Sequence, residues 1–162
     1  MTGIERLVVA SANPGKLREI RALLAPLEID IVAQTELGIA EAEEPHDTFL
    51  ENALAKARHA SALARLPALA DDSGLCVSAL GGDPGVHSAY YAGRDGLREE
   101  RDARNNAKLL EVMKDRAERA AHYCCVMVLV RSAQDPRPLV AEGIWRGEIG
   151  RASCRERVYL CV

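Results

Sequence analysis

The chain has 162 residues, a formal net charge of −3, 48% hydrophobic and 28% charged residues. That size and balance describe one globular domain and exclude wholesale disorder, collagen-like repeats and a supercharged tail. A mildly acidic surface attracts nucleic acid and anionic lipid weakly, and with one Trp, four Tyr and one Phe there are few rings for bases to stack on. A phosphate-bearing ligand would need its own local cations.

In chain order, the apolar run Leu7 to Ala10 reads as a strand that stops at the turn Ser11-Ala12-Asn13-Pro14-Gly15-Lys16. Leu17, Ile20, Leu23, Leu24 and Leu27 follow at helical spacing, Pro26 closes that region, and Ile29 to Val32 is β-branched, so a right-handed βαβ crossover is expected. Residues 36–47 are acidic and turn-rich, hence a loop. Thr48 and Glu51 form a capping box opening a helix to Arg65, which Pro67 stops. Ala68 to Ala70 and Leu75 to Val77 read as two short strands flanking the polar corner Asp71-Asp72-Ser73-Gly74. After a glycine-rich loop at 81–85, residues 98–119 read as a charged helix with Leu97, Leu109, Leu110 and Met113 on its apolar side. Tyr123 to Val130 suggests a central strand covered on both faces, with Leu139 to Trp145 as its hairpin partner.

No stretch approaches the ~20 apolar residues of a membrane helix, and the first ten residues lack a signal-like pattern, so the expectation is a cytoplasmic protein with no membrane or nucleic-acid partner. The cysteines, Cys76, Cys124, Cys125, Cys154 and Cys161, are odd in number and contain no CxxC, which signals neither a disulfide framework nor a zinc site. His46, His59, His87 and His122 are scattered and support no nucleophile–histidine triad.

Three places can carry chemistry. Adjacent carboxylates on an extended segment point to opposite sides, so only one of Asp71 and Asp72 can enter a given cleft, where burial needs a counter-charge such as a hard divalent cation. Taken alone, this corner reads more readily as a turn with solvated acids. The turn from Ser11 to Lys16 sits where a strand becomes a helix, where unpaired N–H groups and the helix dipole favour an anion and Lys16 adds a full charge; alone it is equally a capped helix with an exposed lysine. Asn52 and Lys56 share one helix face, and Glu44 in the preceding loop is a possible metal carboxylate or one of several solvated acids.

In this order, SANPGKLREI, TFLENALAKARHA, ADDSGLCVSALGGDPGVHSAYYAG and NNAKLL resemble the inosine/xanthosine triphosphate pyrophosphatase family of house-cleaning enzymes for non-standard purine nucleotides, over residues 5–149. The resemblance implies an α/β fold, a long curved mixed sheet flanked by helices, with two lobes around a nucleotide cleft. It also implies a homodimer that hydrolyses ITP, dITP or XTP to monophosphate and pyrophosphate with Mg²⁺. Carried over, it implies that Ser11, Ala12, Asn13, Pro14, Gly15 and Lys16 wrap the triphosphate, with Lys56 as a further phosphate cation and Ser73 as a substrate contact. Asp72 would be general base and metal ligand, Glu44 the second metal carboxylate and Asp71 a supporting acid. Two other readings stay open: a nucleotide-binding fragment without catalysis, and a Maf-like pyrophosphatase of different base preference.

The expected division is a pyrophosphatase-like domain over 1–149 and a tail over 150–162. The family's F-G-Y-D-P and S-H-R motifs are absent, leaving the second lobe incomplete, and the tail holds three Arg and one Glu against a net −5 before it. Such a shift in composition is read as a frameshift, truncation or foreign sequence. Without the cover of that lobe, exposed apolar strands and aggregation are expected.

Overall fold

A computed structural model describes residues 3–150; the tail beyond Gly150 lies outside the described residues. The elements are β1 (Arg6–Val9), α1 (Pro14–Leu24), β2 (Asp30–Ala33), α2 (Phe49–Ala64), β3 (Ala68–Val77), α3 (Arg98–Val112), β4 (Ala120–Val130) and β5 (Leu139–Glu148), with 3₁₀ turns between them. The strands form a mixed five-stranded sheet ordered β2-β1-β3-β4-β5. β1 runs parallel to both neighbours, with Val8 opposite Val32 and Ala68. The expected βαβ crossover is present.

The chain divides into two compact units: residues up to Asp72 with Val126–Glu142, and Ser73–Cys125 with the residues from Gly143. In the first, Leu7 and Val9 of β1, Leu69 of β3 and Ile20 of α1 form a buried cluster, with Leu17 and Met127 packed on it. Alternation along a strand sends Leu7, Val9 and Leu69 to the α1 side and Val8 to the other. α2 buries Ala53, Ala57 and Ala60, a stripe of small side chains at helical spacing. In the second unit the core is Leu75, Val77, Leu109, Met113 and Ala121.

Four local expectations are corrected. The segment from Ala68 to Val77 is one ten-residue strand, not two strands around a corner. The 98–119 helix ends at Val112, where the Arg119 guanidinium takes the Met113 carbonyl at 2.7 Å and draws the chain out of the helical path. Leu97 is not on the apolar side: it precedes the first turn, 69% exposed, with its N–H held by Glu100. The acidic loop begins later than expected, because Gln34–Leu37 winds into a 3₁₀ turn closed by the Ala33 N–H on the Glu36 carboxylate.

β4 follows the expected run, but its burial alternates: Ala121, Cys124, Val126, Val128 and Val130 are buried while the residues between them are half-covered. It is next to last in the sheet, with β5 as neighbour and edge, so only one of its faces is fully covered. Every residue of β5 is exposed.

Candidate active site

The turn after β1 is built by Asn13. Its Oδ1 accepts the N–H groups of Gly15 (2.9 Å) and Lys16 (3.4 Å), and Pro14 supplies a first helical residue that needs no N–H partner. Ser11, buried, accepts the Asn13 N–H at 3.1 Å, while Ala12 is exposed. The amides expected to await an anion are therefore already capped by the chain itself. Nor is Lys16 an exposed surface lysine: its Nζ lies 2.6 Å from Asp71 Oδ2.

Asp71 and Asp72 are each only 6% exposed, which removes the reading of a turn with solvated acids. The expected divergence of adjacent strand residues is what places them. Asp71, two residues after Leu69, meets Lys16 of α1; Asp72 meets Lys56 of α2, at 3.7 Å from Oδ1 to Nζ. The same Nζ stands 2.6 Å from Glu44 Oε1. Glu44, Lys56 and Asp72 thus converge although 28 residues of sequence separate the outer two. Burying two aspartates costs several kcal/mol each unless opposite charge and hydrogen bonds offset it, and a lysine stands against each.

Ser73, the next residue, is buried in the second unit, where its Oγ accepts the Tyr123 hydroxyl at 3.0 Å. Gly74 has a steric reason. A Cβ there would stand 2.2 Å from the Gly85 carbonyl oxygen and 2.6 Å from Ser88 Oγ, the hydroxyl that accepts the Leu75 N–H. Tyr123 escaped the sequence reading because only the register of β3 and β4 makes it a neighbour of Ser73.

Two further side chains of α2 meet the loop that carries Glu44: Asn52, expected only to share a face with Lys56, and His59, expected to have no partner of note. Asn52 holds the backbone of His46, and His59 Nε2 lies 3.1 Å from the Ala40 carbonyl oxygen. The shared face of Asn52 and Lys56 was legible; the loop they would hold was not.

Among the described residues no group of three or more His, Cys, Asp or Glu side chains could by itself hold a metal ion. Mg²⁺ does not require one, since one or two carboxylates plus water and phosphate oxygens suffice. Glu44 and Asp72 fit: both are hard oxygen donors and both already converge on a single cation, the Lys56 ammonium.

A separate hollow in the second unit is lined by Leu75, Pro84, Ser88, Tyr91, Asn105 and Leu109. Its buried amide is answered within the unit: Asn105 Oδ1 accepts the Ala92 N–H and Nδ2 donates to the Ser88 carbonyl. That arrangement braces the fold, and the carboxylate that also lines the hollow, Asp102, stands 3.8 Å from the Arg98 guanidinium one helical turn earlier.

In the first unit, parallel β1 and β3 are the neighbours at which the connections diverge, β1 leading through α1 to β2 on one flank and α2 returning to β3 on the other. Ligands of open α/β sheets bind outside the carboxyl ends of strands at such a switch point. This is an open-sheet α/β protein in which lysines of α1 and α2 answer adjacent carboxylates of β3 beside that switch point. The Ham1 family profile matches residues 7–158, and the chain belongs to the Ham1 family. It is 62% identical over 146 residues to a dITP/XTP pyrophosphatase of Ralstonia nicotianae, covering 90% of this chain and 72% of that one. It is 64% identical over 144 residues to one of Burkholderia pseudomallei, covering 89% and 69%. Among solved structures, a HAM1 protein of Coxiella burnetii superposes with a TM-score of 0.84 at 45% identity, over 91% of this chain and 74% of that one. The Staphylococcus aureus Ham1 protein gives 0.77 at 34%, over 90% and 72%. No helix among the described residues is long and apolar enough to cross a membrane.

Proposed function

We infer that this chain is a nucleoside triphosphate pyrophosphatase that hydrolyses non-standard purine triphosphates, the ITP, dITP and XTP class, to monophosphate and pyrophosphate. The observation that carries the reading is the convergence of Glu44 and Asp72 on Lys56, in a chain more than 60% identical to two dITP/XTP pyrophosphatases. We further propose that it depends on Mg²⁺ and works as a cytoplasmic homodimer.

Glu44 and Asp72 would hold the metal, which when bound neutralises phosphate oxygens and so lowers the charge a nucleophile must approach. Asp72 orients water and accepts its proton as the water oxygen bonds to phosphorus. The α–β phosphoanhydride bond breaks, and pyrophosphate leaves with the electron pair. Lys16 and Lys56 exchange their carboxylate partners for phosphate oxygens and steady the charge that gathers on the leaving group. The Ser11–Lys16 turn contributes to the triphosphate contacts through the side chains of Asn13 and Lys16, because the Gly15 and Lys16 amides are already held by Asn13 Oδ1, and Ser73 contributes a hydroxyl contact.

Pyrophosphate release measured on ITP, dITP, XTP, ATP and GTP with and without Mg²⁺ tests this reading. The inosine and xanthosine substrates should be preferred and EDTA should stop the reaction. Asp72→Asn should lower kcat by at least about 10²-fold, the usual contribution of a positioned base. Wild-type rates from that variant would remove Asp72 from the role. Nucleotide binding without pyrophosphate release in the wild-type chain would leave a binding protein in place of an enzyme.

A further inference from the structure

Three polar side chains on one stripe of α2 tie the irregular segment 38–47 along the helix. Asn52, only 1% exposed, accepts the His46 N–H at Oδ1 (3.0 Å) and donates Nδ2 to the His46 carbonyl (3.1 Å). One turn on, Lys56 takes the Glu44 carboxylate at 2.6 Å, and His59 Nε2 meets the Ala40 carbonyl at 3.1 Å. As the helix ascends through 52, 56 and 59, the segment descends through 46, 44 and 40, so the two run antiparallel. No helix or strand forms between Gly38 and Thr48, so side chains of α2 take the part that a backbone ladder takes elsewhere.

The three ties differ in stiffness. Lys56 reaches Glu44 from the end of a flexible four-carbon stem and would follow that carboxylate wherever it moved. Asn52 is short, buried and bonded at both ends of its amide to one residue, two positions from Glu44. We propose that Asn52 is a positioning residue: by fixing the backbone at His46 it sets where the Glu44 carboxylate stands beside Asp72, and so sets the affinity of that pair for a divalent cation. The proposal rests on the reading of Glu44 and Asp72 as metal carboxylates. Groups that orient the ligands of a metal, without touching it, commonly govern its affinity.

The test is a titration of the full chain with Mn²⁺, without nucleotide, followed by electron paramagnetic resonance, together with hydrogen exchange of the 40–47 amides. Asn52→Ala should bind Mn²⁺ about tenfold or more weaker than wild type, with faster exchange over 40–47 while the α2 amides stay protected. Wild-type Mn²⁺ affinity in that variant overturns the proposal, whether or not exchange quickens. Should Asn52→Ala lose its cooperative melt, Asn52→Ser supplies the same paired readouts, since a hydroxyl is too short to span both His46 partners. Glu44→Gln separates the two levels. Weak Mn²⁺ binding by Glu44→Gln beside wild-type binding by the Asn52 variants defeats the positioning role alone, whereas wild-type binding by Glu44→Gln defeats the metal reading and the proposal with it.

Discussion

Gly74 shows how narrow the tolerance is beside Asp72 and Ser73. The atom nearest a new Cβ is the Gly85 backbone oxygen at 2.2 Å, which cannot swing aside as a side chain can. Gly74→Ala should therefore destabilise the protein by at least about 1–3 kcal/mol, the usual range for overpacking, read from the urea midpoint at unchanged m-value. Asp135 is a second residue set by its surroundings. The N–H groups of Arg131 and Arg137, then the Arg131 guanidinium, hold its carboxyl below the usual aspartate range. A lowered folded-state value means that the stabilisation is complete above the ordinary aspartate range and is lost as pH falls through the lowered value. Asp135→Asn should be less stable than wild type at pH 7, with the difference shrinking in acid; a constant difference down to pH 2 would show that the carboxylate charge is not what matters.

At the scale of elements, β5 is the exposed edge. Leu139, Val140, Ile144 and Trp145 are 45–79% exposed along one strand, an apolar edge with no further strand beside it among the described residues, the kind through which sheets add to one another. Val140→Lys with Trp145→Lys should reduce self-association in sedimentation velocity at raised protein concentration, and an unchanged distribution would locate the association elsewhere. The other elements follow from local chemistry. The Thr48 hydroxyl accepts the Glu51 N–H and donates to the Glu51 carboxylate at 2.6 Å, so the start of α2 was legible from four residues. The end of α3 was not, because Arg119 closes it from outside the helix.

For the whole molecule, a ligand bound only by the native state stabilises it by mass action. With Mg²⁺ and ITP at about a hundredfold excess over Kd, the gain is about 2.7 kcal/mol, or a rise in Tm of several degrees for a chain of this length. Scanning fluorimetry should show that rise with ITP and Mg²⁺ together and a smaller one with either alone. Equal shifts with and without the metal would separate nucleotide binding from the Glu44 and Asp72 carboxylates.

Elements whose causes are local were legible in the chain alone: the β1–α1–β2 crossover from its apolar spacing, the Thr48 cap, and the motif order that marks the family. What the charges do became visible only in three dimensions. Asp71-Asp72-Ser73-Gly74 has the composition of a turn, yet it runs straight through β3 because Lys16 and Lys56 arrive from different helices to answer the two acids. Glu44 and Lys56 are twelve residues apart and belong to different elements, so neither periodicity nor spacing could pair them. Local propensity acts within a few residues of the chain, whereas a buried charge is settled by whichever opposite charge the fold brings within a few ångströms of it.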